Sequence, residues 1–333
     1  MASINNGPAA SHRLGAELRV ELSKVWRDSA PLTVTSILML IALVASFVGI
    51  FLDPRIITGA SAWLKPAKFA ISTAIFSGTI AWLFRYITVW PRFMRAVGWV
   101  LAAVLVIEVA VIDVQAARGT TSHFNAATRL DTELFAFMGA AIGFLWLACV
   151  AVLIALFRQR FQNPSWGWLL RLGMLTTVLG SAGGGLMLRM TPAQAATLST
   201  THSVRAVGGH TVGAPDGGPG LPGLGWSTQH GDLRAAHFFG LHGLQIIPLV
   251  GWFTIHWRRI QDSRKQTRFV FAIAASYLGF VGILTWQALR GQSIIEPDSL
   301  TLAAVAVWFG ATAAAIYFTL GTWLPERVHA AAR

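Results

Sequence analysis

The sequence is poor in charge and nearly devoid of cysteine. Only 12% of its 333 residues are Asp, Glu, Lys or Arg, about half the share of an ordinary soluble domain, which argues against a soluble enzyme of this size. A disordered chain needs the opposite balance, whereas 54% of these residues are hydrophobic. The single cysteine, Cys149, excludes a disulfide framework, a cysteine-based zinc site and an iron–sulfur cluster. Placed in the apolar run 147–156, it reads as a small buried hydrophobe. Motifs are missing as well: there is no His-Glu-x-x-His pair, no Gly-x-Ser-x-Gly elbow and no eight-histidine set of a membrane di-iron desaturase.

What the chain has is long apolar sequence, with a mean hydropathy of +0.58. Crossing about 30 Å of hydrocarbon takes roughly 20 apolar residues in a helix, and eight segments qualify: 31–52, 67–87, 96–117, 134–157, 172–190, 235–257, 269–289 and 299–324. Backbone hydrogen bonds must be satisfied inside each span, so the expected fold is all-α, a polytopic integral membrane bundle of eight transmembrane helices. The fifth span is short and holds Gly180, Gly183, Gly184 and Gly185, which suit close helix packing. The expected order is an N-terminal segment 1–30, a first half 31–157, a linker 158–171, a second half 172–324 with a long outer loop 191–231, and a tail 325–333. The polar first thirty residues do not read as a cleavable signal peptide. With Glu17, Leu18, Val20, Leu22, Val25 and Trp26 they read either as an amphipathic surface helix or as a solvated tail.

Lys and Arg set the expected orientation. Seventeen of them fall on the side of the termini and of the 2–3, 4–5 and 6–7 loops, against five acidic residues there. That side therefore carries the whole net charge of +12. Both termini are expected in the cytoplasm and the chain in the cytoplasmic (inner) membrane, with the lipid bilayer as its partner and no nucleic acid needed to explain the charge.

A parallel four-plus-four internal duplication is expected from the ends of the third and seventh spans. One reads Gln115-Ala116-Ala117-Arg118-Gly119 and the other Gln287-Ala288-Leu289-Arg290-Gly291, 172 residues later and on the same side. The halves differ in chemistry. The third span carries Glu108 and Asp113, and the sixth carries His237 and His242.

At 1.5 Å per residue, Asp113 lies about 6 Å and Glu108 about 14 Å below the outer end of the third span, and His237 and His242 lie about 3 and 10 Å below that of the sixth. Ionisable groups at such depth face a bundle interior or a wet cavity. The expected composite site has Glu108 or Asp113 handling protons, Arg118 and Arg290 binding a small anionic or quinone-like group, and His237 and His242 holding a cofactor. Metal ligands would come from His123, His230, His237 and His242, the cofactor being haem or a transition metal. One imidazole, His242, is expected to face a carboxylate of the third span, and the other to meet the outer loops. Bending of the sixth span is attributed to Pro248, Gly240 and Gly243. The Gly/Pro-rich stretch 208–225 reads as a lid or as a mobile connector.

Three functions fit: a metal- or haem-dependent membrane oxidoreductase, a small-solute or proton-coupled transporter, and a membrane sensor, assembly factor or complex subunit. Whether the protein is an enzyme stays open at this point. The four-plus-four layout is similar to that of haem A synthases, but that family's Glu-containing histidine motifs are absent.

Overall fold

The computed structural model describes residues 23, 24 and 26–320. From Ala30 onward ten α-helices follow one another: α1 (Ala30–Leu52), α2 (Leu64–Phe84), α3 (Pro91–Ala117), α4 (Arg129–Arg158), α5 (Pro164–Ala182), the short α6 (Pro192–Thr201), α7 (Leu233–Leu241), α8 (Gly243–Trp257), α9 (Ser263–Leu289) and α10 (Ser299–Leu320). Seven stretches are long and apolar enough to cross a membrane, and α7 with α8, bent by 55°, makes an eighth. This fits a multi-pass membrane helix bundle. The N-terminal surface helix falls outside the described residues except near Trp26, and so does the tail.

Local sequence explains most helix starts. Thr128 accepts the Asp131 N–H, Asn163 that of Trp166, and Asp262 those of Arg264 and Lys265, each filling a donor that a helix start leaves open. The Asn163 cap and Pro164 start α5 well before residue 172, so residues 164–171, expected as linker, are helical. Past Ala182 the glycine run tightens into a 3₁₀ turn, Gly183–Leu188, since glycines give little hold on α geometry.

In the first half α1 packs on α2, both pack on α3, and α3 packs on α4. In the second half α5 packs on α7 and α8, all three pack on α9, and α9 packs on α10. The order of pairing is the same in both. Contact between α4 and α5 joins the halves, and a core containing Leu32, Ile80, Leu101, Leu156, Leu170 and Leu244 runs across that junction.

The sixth span breaks at His242, one turn and a half before Pro248. A proline inside a helix removes one N–H and crowds the carbonyl four residues back, here that of Leu244. Thr177 of α5 meets the groups that the break at His242 frees: its hydroxyl accepts the Leu244 N–H at 3.0 Å and donates to the Leu241 carbonyl at 3.1 Å. The crossing beside it is closed by glycine on both sides. A Cβ on Gly180 would fall 2.2 Å from the Gly240 backbone, and one on Gly240 would fall 2.4 Å from that of Gly180.

The loops gather at two ends. At the basic end Arg85 meets Asp28 at 3.5 Å, and Arg171 binds the carbonyls of Leu156 and Gln159 while lying against the rings of Phe157, Phe161 and Trp168. The other, polar end holds residues 53–63, 118–128, 189–232 and 290–298. Two antiparallel hairpins sit there. β1 (Ile56–Ile57) and β2 (Ala60–Ser61) are joined by Thr58 and Gly59, both at positive φ, the backbone of a tight hairpin turn. β3 (Thr211–Val212) and β4 (Gly231–Asp232) pair in the same way, but residues 213–230 lie between them. The outer segment expected as one loop therefore contains a helix and a hairpin.

Candidate functional site

The Gln-Ala-x-Arg-Gly ends of α3 and α9 have the same local structure. Gly119 and Gly291 take left-handed φ values of +76° and +73°, the backbone glycine favours just past a helix end. Buried Gln115 and Gln287 each turn their Nε2 to the carbonyl six residues on, Thr121 at 3.4 Å and Ser293 at 2.7 Å. Arg118 then pairs with Asp131 at 2.9 Å, and Arg290 with Asp298, each aspartate lying at the start of the next helix. Both guanidiniums, expected to bind a ligand, already hold carboxylates.

The starts of α2 and α7 match too. Leu64-Lys65-Pro66-Ala67-Lys68-Phe69 stands opposite Leu233-Arg234-Ala235-Ala236-His237-Phe238, each directly after its hairpin. Lys65, Lys68 and Arg234 converge between these helix ends. Nζ of Lys65 lies 3.2 Å from Nδ1 of His123 and is within electrostatic reach of Glu108, Lys68, Arg234 and Asp216. Nζ of Lys68 donates to the Leu224 carbonyl at 3.0 Å, and the Arg234 guanidinium donates to the Gly225 carbonyl and grips Asp232 at 2.6 Å. No carboxylate among the described residues comes within 4 Å of either lysine ammonium.

Below them stands Glu108, 5% exposed. Its Oε1 is 3.5 Å from Nε2 of His123, and its buried Oε2 has no hydrogen-bond partner among the described residues. An ammonium can only donate, so Nδ1 of His123 accepts from Lys65 and Nε2 carries the proton toward Glu108. Burial, then the charges of Lys65 and His210, holds the His123 imidazole well below its usual range, so it is neutral. On the far side of Phe124, His210 pairs with Asp216 at 3.0 Å. Burial works against the Asp216 charge, but hydrogen bonds from His210 and Thr211 hold its carboxyl down at about 2.

The other expected site residues stand elsewhere. His237 is tied by Nδ1 to the Gly180 carbonyl at 2.9 Å, and His242, at the helix break, packs its ring 4.5 Å from that of Phe238. His230 precedes α7 in a turn closed by its N–H on Ser227 Oγ at 3.0 Å. Glu108 is therefore paired with the loop histidine His123 and not with His242, because the break turns His242 onto its own helix. Asp113 is half-buried, and its Oδ1 lacks a hydrogen-bond partner among the described residues. No three His, Cys, Asp or Glu side chains among the described residues are grouped to hold a metal ion. A separate cavity of about 630 Å³ opens at the basic end beside Tyr86, Trp166, Trp252 and Arg259; among the described residues no unpartnered buried polar atom lines it.

Lys65, Lys68, Arg234, His210 and Asp216 are not among the site residues expected from the sequence. The partial match between the starts of α2 and α7, three identical residues of six with Lys65 opposite Arg234, is the signal that could have found two of the cations. No family model, no curated protein and no solved structure matches the chain.

Proposed function

We propose that the protein is a proton-coupled carrier for a small anionic solute, built from two parallel four-span repeats in the cytoplasmic membrane. The solute would bind at the polar end between the halves, and the basic end with both termini would face the cytoplasm. One observation carries the reading: the matching starts of α2 and α7 bring Lys65, Lys68 and Arg234 together, with no carboxylate on either lysine. A desolvated ammonium with no carboxylate in direct contact favours an anionic partner. The common order of helix pairing and the twin Gln-Ala-x-Arg-Gly ends support duplication. A span broken within its length, with the freed backbone groups met by a neighbouring helix, supports transport, since carriers commonly place discontinuous helices at the repeat interface. Glu108, through His123, supplies the proton acceptor.

Uptake of labelled phosphate and of short carboxylates into proteoliposomes tests the reading, with internal pH followed in parallel. Uptake is expected to require Lys65, to fall at least tenfold in Lys65→Met and to recover partly in Lys65→Arg. Glu108→Gln is expected to keep binding and lose the accompanying proton movement. Anion binding with no flux in either direction would sink the carrier reading.

A further inference from the structure

The hairpins of the two halves differ at one place. Ile57 and Ala60 are joined by two residues, whereas their counterparts Val212 and Gly231 are joined by eighteen, 213–230. This insertion does not stay in its own half. Gly217 packs on Thr58 and Gly59 at the tip of the first hairpin, and Leu224 and Gly225 reach the cations of both halves. A Cβ on Gly225 would sit 4.0 Å from Nζ of Lys68 and 3.8 Å from Nη1 of Arg234, so the turn is wedged between the two.

The segment has a buried base and an exposed tip. Trp226 is buried against Phe238 and Phe239, the Ser227 N–H is held by Asp232 at 2.8 Å, and Ser293 donates to the Ser227 carbonyl at 3.2 Å. By contrast, residues 217–220 and 222–224 are exposed. The tip is a small turn closed by Gly225 N–H on Leu221 O at 2.7 Å and Leu221 N–H on Trp226 O at 2.8 Å. Segments with few buried contacts are the first to open. Two neutral carbonyls also make weaker partners for an ammonium and a guanidinium than an oxyanion does.

We propose that residues 213–230 form a lid, and that the carbonyl oxygens of Leu224 and Gly225 occupy the places on Lys68 and Arg234 that two oxygens of a phosphate or carboxylate group take when the lid opens. The ligand is thus an oxyanion bound through two oxygens, and it arrives from the polar end, where the lid lies. This rests on the anion-binding reading above and adds its gate.

Hydrogen exchange on the full-length protein in phosphatidylcholine nanodiscs tests it. Inorganic phosphate is added in one arm, and phosphatidylglycerol without phosphate in the other, which separates a free anion from a lipid headgroup. A response in either arm is expected to speed exchange of the Leu221 and Gly225 amides at least tenfold, leaving the Thr211–Asp232 pairing protected. A variant with 213–230 replaced by Thr-Gly, copying the first hairpin, is expected to bind the responding anion at least tenfold more tightly. Should that variant not fold, Lys68→Met is expected to speed exchange at the same two amides with no anion present. Phosphate binding with unchanged exchange at Leu221 and Gly225 would overturn the lid and leave the anion site standing. Binding of neither phosphate nor phosphatidylglycerol would overturn both.

Discussion

His123 stands between Lys65 and Glu108, with Nδ1 3.2 Å from the ammonium and Nε2 3.5 Å from the carboxylate. The imidazole comes from the 118–128 loop, the ammonium from the start of α2 and the carboxylate from the middle of α3, so three elements must be in place before the contact exists.

That contact gives a pH dependence with a definite sign. Burial and the nearby Lys65 and His210 charges keep folded His123 unprotonated, whereas an unfolded imidazole takes up a proton near pH 6.5. Below that pH the unfolded state holds more protons, so stability is full above about pH 7 and falls as pH drops through 6.5. Thermal melts in detergent should show a smaller loss between pH 7.5 and 5.5 for His123→Asn than for the natural sequence. Equal losses would mean that His123 does not carry the effect.

Thr177 is the residue to change at the helix break. Valine in its place leaves the Leu244 N–H and the Leu241 carbonyl without their partner, and each buried group stranded in this way costs about 1–3 kcal/mol. Thr177→Val should lower the melting temperature markedly, and Thr177→Ser, which keeps the hydroxyl, should restore most of it. A valine variant as stable as the parent would show that other groups meet the freed backbone.

At the Gly180–Gly240 crossing any side chain meets backbone and not a yielding side chain. Overpacking of this kind costs on the order of 1–3 kcal/mol or more. Gly180→Ala is expected to destabilise α5 against α7, while Gly139→Ala, where a Cβ meets nothing within 4 Å, should be neutral. Melting temperatures of the two variants measured side by side decide the point.

Sidedness is tested by reporter fusions. Those after Arg160 and after Asp262 are expected to report cytoplasm, and one after Gly218 the opposite side. A fusion after Gly218 that reports cytoplasm would place the lid and the anion site on the inner face.

The twin arginine pairs should respond unequally. Asp131 has 4% of its side chain exposed and Asp298 has 40%. Asp131→Asn should therefore lower the melting temperature more than Asp298→Asn, since solvent replaces a lost partner only at the exposed site.

Composition and apolar run length were enough to identify the membrane helices, because a span must be apolar for about 20 residues whatever its neighbours do. The repeated Gln-Ala-x-Arg-Gly was legible for a similar reason: the glycine end and the glutamine closing on the backbone are local structure, written within about ten residues. Where the sixth span breaks was not local. Pro248 and two glycines made a bend expected, but Thr177, on another helix, holds the break at His242. The partner of Glu108 was hidden in the same way. Depth along the helices put carboxylates and imidazoles in one layer, and depth says nothing about azimuth or about how a loop folds back. Only packing turned His242 against Phe238, brought His123 down onto Glu108 and laid the 213–230 insertion across Lys68 and Arg234. Contacts such as that of Lys68 with Leu224, 156 positions apart, depend on which helices pack together, a property of the whole bundle that no single stretch of sequence encodes.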